Sequence, residues 1–128
     1  MINPTGKSVR ELDKHGSGKY GAGRGGRLHA GSDFICIPGQ SIYSPISGLL
    51  VRVAKPYAGK YSGVLIRNLQ CEIKMFYFEP NLKLIGSNVE QGDVIGIAQN
   101  IAENYPGMIP HIHLQFESIN PELFINLP

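Results

Sequence analysis

An excess of charge of one sign is what this sequence most plainly lacks. Lys and Arg number 12 against 10 Asp and Glu, a net charge of +2 with no block of like residues. Neither nucleic acid nor an anionic membrane surface is therefore an expected partner. Cysteine occurs only twice, at Cys36 and Cys71, and the two do not form a Cys-x-x-Cys pair, which argues against a redox dithiol or a thiolate zinc cage. No stretch approaches the roughly eighteen apolar residues of a membrane span. The opening Met1-Ile-Asn-Pro-Thr lacks the apolar segment of a signal peptide, so the chain is expected to be cytosolic, exported by another route or freed of a leader. A phosphate loop is excluded as well, because the glycine-rich run has no Gly-Lys-Ser/Thr ending. No repeat or linker divides the 128 residues, which suit one domain with one core.

Tryptophan is absent, while Gly numbers 16, Pro 9 and hydrophobic residues make up 42%, the composition of many short elements joined by turns. Short apolar runs fill the chain after residue 33: Phe34–Ile37, Ser41–Tyr43, Gly48–Val53, Val64–Arg67, Glu72–Phe78, Val94–Ala98 and His111–Glu117. Glycine, proline or asparagine separates them, and this spacing predicts an all-β fold, a mainly antiparallel β-sheet core with long loops. Residues 1–28 read as an irregular segment wrapped on the surface, residues 29–117 as the β core and 118–128 as a tail. Ser8–Leu12 has the makings of a helical turn, and Arg24 and Arg27 are either solvated or contacts for an anion near a cleft. Cys36 and Cys71 each border a strand-like run, as a staple between strands or as two buried thiols.

Four histidines are present, and three fall in two short stretches, His29-Ala30-Gly31-Ser32-Asp33 and His111-Ile112-His113. Imidazole and carboxylate are ligands that zinc accepts, and catalytic zinc sites commonly have three protein ligands and one open position. In a strand, residues i and i+2 face the same way, so His111 and His113 are expected to look into a cleft while Ile112, Leu114 and Phe116 enter the core. The plainer reading is two half-exposed strand histidines and a turn aspartate.

The combination of motifs resembles the M23 (lysostaphin-type) zinc metallopeptidases. His29-x3-Asp33 precedes a distant His111-x-His113-Leu-x-Phe-Glu; Pro38-Gly39-x-x-Ile-Tyr-Ser-Pro-x-x-Gly48 and Val89-x-x-Gly92-Asp93-x-Ile95-Gly96 match further family signatures. Asp13-x-His15-Gly-x-Gly18-x-Tyr20-x-x-x-Arg24, Lys55-Pro-Tyr57, Cys71-x-x-Lys-Met-Phe-Tyr77 and Tyr105-Pro-Gly107 resemble its leukocyte cell-derived chemotaxin subgroup.

The resemblance implies that His29, Asp33 and His113 bind Zn²⁺ and that His111 is the catalytic, unliganded base. It also implies a disulfide between Cys36 and Cys71, with Leu12, Ser17 and Glu117 standing where the subgroup has other cysteines. Active family members carry a second catalytic histidine that falls on Phe78 here, which can neither transfer a proton nor stabilise an oxyanion. Two functions follow. The first is an extracytoplasmic or secreted endopeptidase, a monomeric peptidoglycan hydrolase with a peptide ligand in its cleft, in which Tyr77 or His15 replaces the missing donor. The alternative is a catalytically inactive zinc-containing binding or signalling module.

Overall fold

The computed structural model describes residues 1–10, 18, 19, 23, 24, 27, 28 and 31–124. Its strands are β1 (Gly23–Arg24), β2 (Arg27–Leu28), β3 (Ser32–Ile35), β4 (Ser41–Tyr43), β5 (Gly48–Val53), β6 (Gly63–Arg67), β7 (Cys71–Phe76), β8 (Phe78–Pro80), β9 (Asn88–Val89), β10 (Val94–Ala98) and β11 (His111–Ile119). Short 3-10 turns occupy Leu82–Leu84, Ile101–Glu103 and Pro121–Phe124, and no α-helix occurs among the described residues. None of their helices is long and apolar enough to cross a membrane.

Six strands form one sheet in the order β3-β11-β7-β6-β5-β9, three form a second in the order β4-β10-β8, and β1 pairs with β2. Every pairing is antiparallel. Leu50, Val64, Ile66, Ile73, Met75, Ile112 and Leu114 of the large sheet and Ile42, Phe78 and Ile95 of the small one form one buried cluster. Central β6 reads Gly-Val-Leu-Ile-Arg, and its first four residues are all buried, as a strand covered on both faces requires. Gly92 turns the chain between β9 and β10 with φ 92°, while the Asp93 carboxylate accepts from the Glu90 amide at 2.9 Å.

Several local expectations are corrected. Ser8–Arg10 is extended rather than helical: the Ile35 amide donates to the Ser8 carbonyl at 2.8 Å, the Arg10 amide to the Asp33 carbonyl at 2.6 Å, and Val9 bridges Phe34. The free edge of β3 supplies backbone partners that an isolated helical turn cannot match. Gly23–Arg24 and Arg27–Leu28 pair with each other as a two-stranded ribbon. Glu72–Phe78 is broken at Tyr77 into β7 and β8. β11 continues to Ile119, past the expected end of the core at residue 117. Phe116 keeps the register, opposite buried Ile73, but is 45% exposed, and a bulge follows it between Phe116 and Ser118.

The expected staple is also corrected, since Cys36 and Cys71 are free thiols. Cys36 follows Ile35, which lies opposite His111, whereas Cys71 lies opposite Ile119 at the other end of β11. Eight strand steps separate these positions by on the order of 25 Å, against the roughly 4.4 to 6.8 Å between Cα atoms of a disulfide. Leu12 and Ser17, named with the other cysteine positions, lie outside the described residues.

Candidate metal centre

Strand register assembles the site. On the large sheet Asp33 lies opposite His113, His113 opposite Phe76, and Phe76 opposite Gly63, a row that crosses β3, β11, β7 and β6. Side chains directly opposite one another in an antiparallel pair are close neighbours. The Asp33 Oδ1 accordingly lies 2.8 Å from His113 Nδ1, although 80 residues separate the two in sequence. The imidazole of His113 stacks on Phe76 with ring centres 5.9 Å apart and planes 12° from parallel. Gly31 lets the backbone approach the other side: a Cβ there would stand 2.8 Å from His113 Cε1.

His111 is two residues earlier on the same face, and its Nε2 lies 3.5 Å from Asp33 Oδ2. Its Nδ1 faces the Ile109 carbonyl at 2.8 Å, so Nδ1 carries the proton and Nε2 the lone pair of the neutral ring. Burial holds the His111 pKa below the usual histidine value, with the Asp33 carboxylate opposing that shift. The His113 ring is held at both nitrogens. Its Nε2 lies 2.8 Å from Gln115 Oε1, and the Gln115 amide nitrogen donates to Glu117, which fixes the amide orientation. Both ring nitrogens of His113 therefore face oxygen acceptors, Nε2 the Gln115 amide oxygen and Nδ1 the Asp33 carboxylate, so a metal at this carboxylate would take the place of the proton on Nδ1.

Two ring nitrogens, His111 Nε2 and His113 Nδ1, thus converge on one buried carboxylate, each ring anchored at its far nitrogen by a carbonyl-type acceptor. Metal-binding histidines commonly have this arrangement, in which the outer hydrogen bond orients the ring and raises its basicity. The donor set fits a divalent ion of borderline softness such as zinc. Among the described residues no group of three or more His, Cys, Asp or Glu side chains suffices to hold a metal. His29, the third expected ligand, lies outside the described residues, as does His15, and the side chains of Arg24 and Arg27 are not described.

Arg10 was not expected here. It is 1% exposed, and its Nη2 and Nε lie 3.2 and 3.4 Å from Asp33 Oδ2. No local pattern marks an arginine in a polar stretch as a site residue; only pairing of Ser8–Arg10 with β3 brings it there. Gln115 was missed too, although its place two residues after His113 on a strand was a readable signal.

Position 78 requires a correction. Phe78 is fully buried, and its ring packs where a Cβ on Gly96 would stand, 2.5 Å from Phe78 Cδ2. The residue that meets His111 is Tyr77, with ring centres 5.4 Å apart in an edge-on arrangement. Tyr77 has φ 79°, the only positive value at a non-glycine among the described residues. This left-handed residue breaks the alternation, turning β7 out of the large sheet while Phe78 enters the core as the first residue of β8. Around it Tyr61 packs 5.7 Å away, and the Tyr57 and Tyr105 hydroxyls lie 3.0 Å apart. Burial, with a contribution from Asp33, pushes the Tyr77 phenol up to about 12, against a lowering hydrogen bond from Tyr57.

No family model matches the chain. The leukocyte cell-derived chemotaxin-2 of Bos taurus is 38% identical to it over 110 residues, covering 84% of this chain and 72% of that protein. The chain belongs to the leukocyte cell-derived chemotaxin-2 family. Among solved structures, this family member is similar to the catalytic domain of the antimicrobial peptidase lysostaphin from Staphylococcus simulans, with TM-score 0.57 and 22% identity over 88% of this chain and 90% of that one. A zinc-containing peptidase from Vibrio cholerae is similar with TM-score 0.55 and 26% identity, over 87% of this chain and 34% of that one. The all-β antiparallel fold of this chemotaxin-2-family chain is thus that of the lysostaphin-type peptidases.

Proposed function

We propose that this chain is a zinc-dependent endopeptidase that acts outside the cytoplasm, as a monomer, on peptide cross-links of bacterial cell wall. His29, Asp33 and His113 hold the metal and His111 is the base. The convergence of His111 Nε2 and His113 Nδ1 on the buried Asp33 carboxylate carries this reading. Zinc bound there supplies a Lewis acid that acidifies water and polarises a carbonyl. Gln115 and the Ile109 carbonyl hold the two rings in the required orientations. His111, kept neutral by burial, takes a proton through Nε2. The Tyr77 hydroxyl stays protonated and donates a hydrogen bond to the oxygen on which charge develops.

A second reading, a zinc-containing binding or signalling module without catalysis, is favoured by the tyrosine beside His111 and by the relative named as a chemotaxin. Metal analysis and muropeptide digestion separate the two. Asp33→Asn and His113→Ala are expected to lose zinc and His111→Ala to retain it, with cleavage lost in all three. Retention of zinc by all three variants sinks the ligand assignment. Zinc binding by a wild type that releases no peptide from cell wall selects the binding module.

A further inference from the structure

A guanidinium beside Asp33 needs an explanation, because a site that holds a divalent cation gains nothing electrostatically from a second cation. We propose that Arg10 is the site's resident counter-cation: it neutralises Asp33 while no metal is bound, keeps the metal-free protein folded, and holds zinc affinity down so that the metal exchanges. This inference rests on the reading of Asp33 as a metal ligand.

The placement is built into the backbone. The Arg10 amide donates to the Asp33 carbonyl at 2.6 Å, the Gly18 amide to the Arg10 carbonyl at 3.1 Å, and the Asp33 amide to the Gly18 carbonyl at 2.8 Å. A Cβ on Gly18 would stand 2.5 Å from Arg10 Cβ and 2.8 Å from Asp33 Cβ, so the three main chains close only around glycine. Arg10 and Asp33 are 1% and 2% exposed. A buried charge left without a partner is strongly destabilising, and a buried pair is little screened by salt.

The carboxylate divides its work between two oxygens. Oδ1 faces His113 Nδ1, the nitrogen proposed to bind metal, and Oδ2 faces the guanidinium. A hydrogen bond that orients a ligand raises metal affinity roughly 10- to 100-fold. Here that gain is opposed by repulsion between a divalent ion and a full positive charge on a buried side chain, where Coulomb energies are several times those in water. The repulsion is the larger effect, so removing Arg10 tightens zinc binding as it weakens the metal-free fold. Lysine in its place keeps the charge and loses the fork.

The test uses the full chain as wild type, Arg10→Met, Arg10→Lys and the double variant Arg10→Met/Asp33→Asn. Thermal midpoints are read in EDTA, and zinc affinity by competition with a chromophoric chelator. The wild type is expected to be folded in EDTA. Arg10→Met should melt on the order of 10 °C lower there and bind zinc about tenfold tighter or more. Arg10→Lys should keep the weaker affinity, and the double variant, with both charges of this pair removed, should recover much of the midpoint. Zinc binding by Arg10→Met that is unchanged or weaker overturns the proposal. If Arg10→Met does not fold in EDTA, the double variant decides: recovered folding supports the proposal, and no recovery overturns it. A wild type that binds no zinc overturns the metal reading instead, a result distinct from any outcome at Arg10.

Discussion

At the scale of single residues, Tyr77 and Phe78 decide how the site is to be tested. Phe78→His, the exchange suggested by matching a motif to the sequence, places an imidazole in the core rather than the cleft. It should cost about 3 kcal/mol or more, from lost ring packing and an unpaired buried polar group, and should not raise cleavage. The unfolding free energy in urea, set beside muropeptide turnover, checks both outcomes. Tyr77→His should raise turnover, and Tyr77→Phe should lower it by about 10² to 10³-fold, as loss of an oxyanion donor does. Equal turnover by Tyr77→Phe and wild type would remove the phenol from the mechanism. The three-residue run Phe76-Tyr77-Phe78 was legible as an apolar strand end. Its facing was not, because alternation presumes extended dihedrals and Tyr77 has φ 79°.

At the scale of elements, β11 orders the molecule. Its alternation was readable for His111, Ile112, His113 and Leu114; Phe116 keeps the same face, opposite Ile73, but is left half exposed just before the bulge. The same strand separates the cysteines. Both thiols should be counted as free in denatured, unreduced protein, and alkylation of the native chain should label Cys71 well before Cys36. Burial, slightly offset by Lys7, pushes the Cys36 thiol up to about 11, and the thiolate is the reactive form. Cys71 is also raised by burial but is only half-buried. A denatured count of no thiols, or faster labelling of Cys36, would contradict this arrangement.

For the whole molecule, the tyrosine wall beside His111 links stability to alkaline pH. Tyr77 ionises near 10.0 when unfolded and near 12 when folded, so the folded state favours the neutral phenol. That contribution is fully present below pH 10.0 and is lost as pH rises towards about 12. Tyr57 is shifted in the same direction, by burial first and then by its hydrogen bond with Tyr105. Urea midpoints at about pH 9 and about pH 11 should therefore fall more in the wild type than in Tyr77→Phe. An equal fall in both would leave Tyr77 outside the coupling.

The sequence by itself determined the all-β class and several strands to the residue, among them Ser41–Tyr43, Gly48–Val53 and Val94–Ala98. It also placed His111 and His113 on a common face. These properties are local: a period of two, β-branched runs, and glycine or proline at the breaks. Only tertiary structure decided what stands opposite them. Asp33 meets His113 through strand register across 80 residues, and Arg10 reaches the same carboxylate because Ser8–Arg10 adds to the β3 edge. Tyr77 faces His111 because one left-handed residue reverses the expected facing. Cys36 and Cys71 are held apart by the length of the strand between their pairing positions. Each of these depends on long-range pairing or on a single dihedral, and neither is encoded in the spacing of residues along the chain.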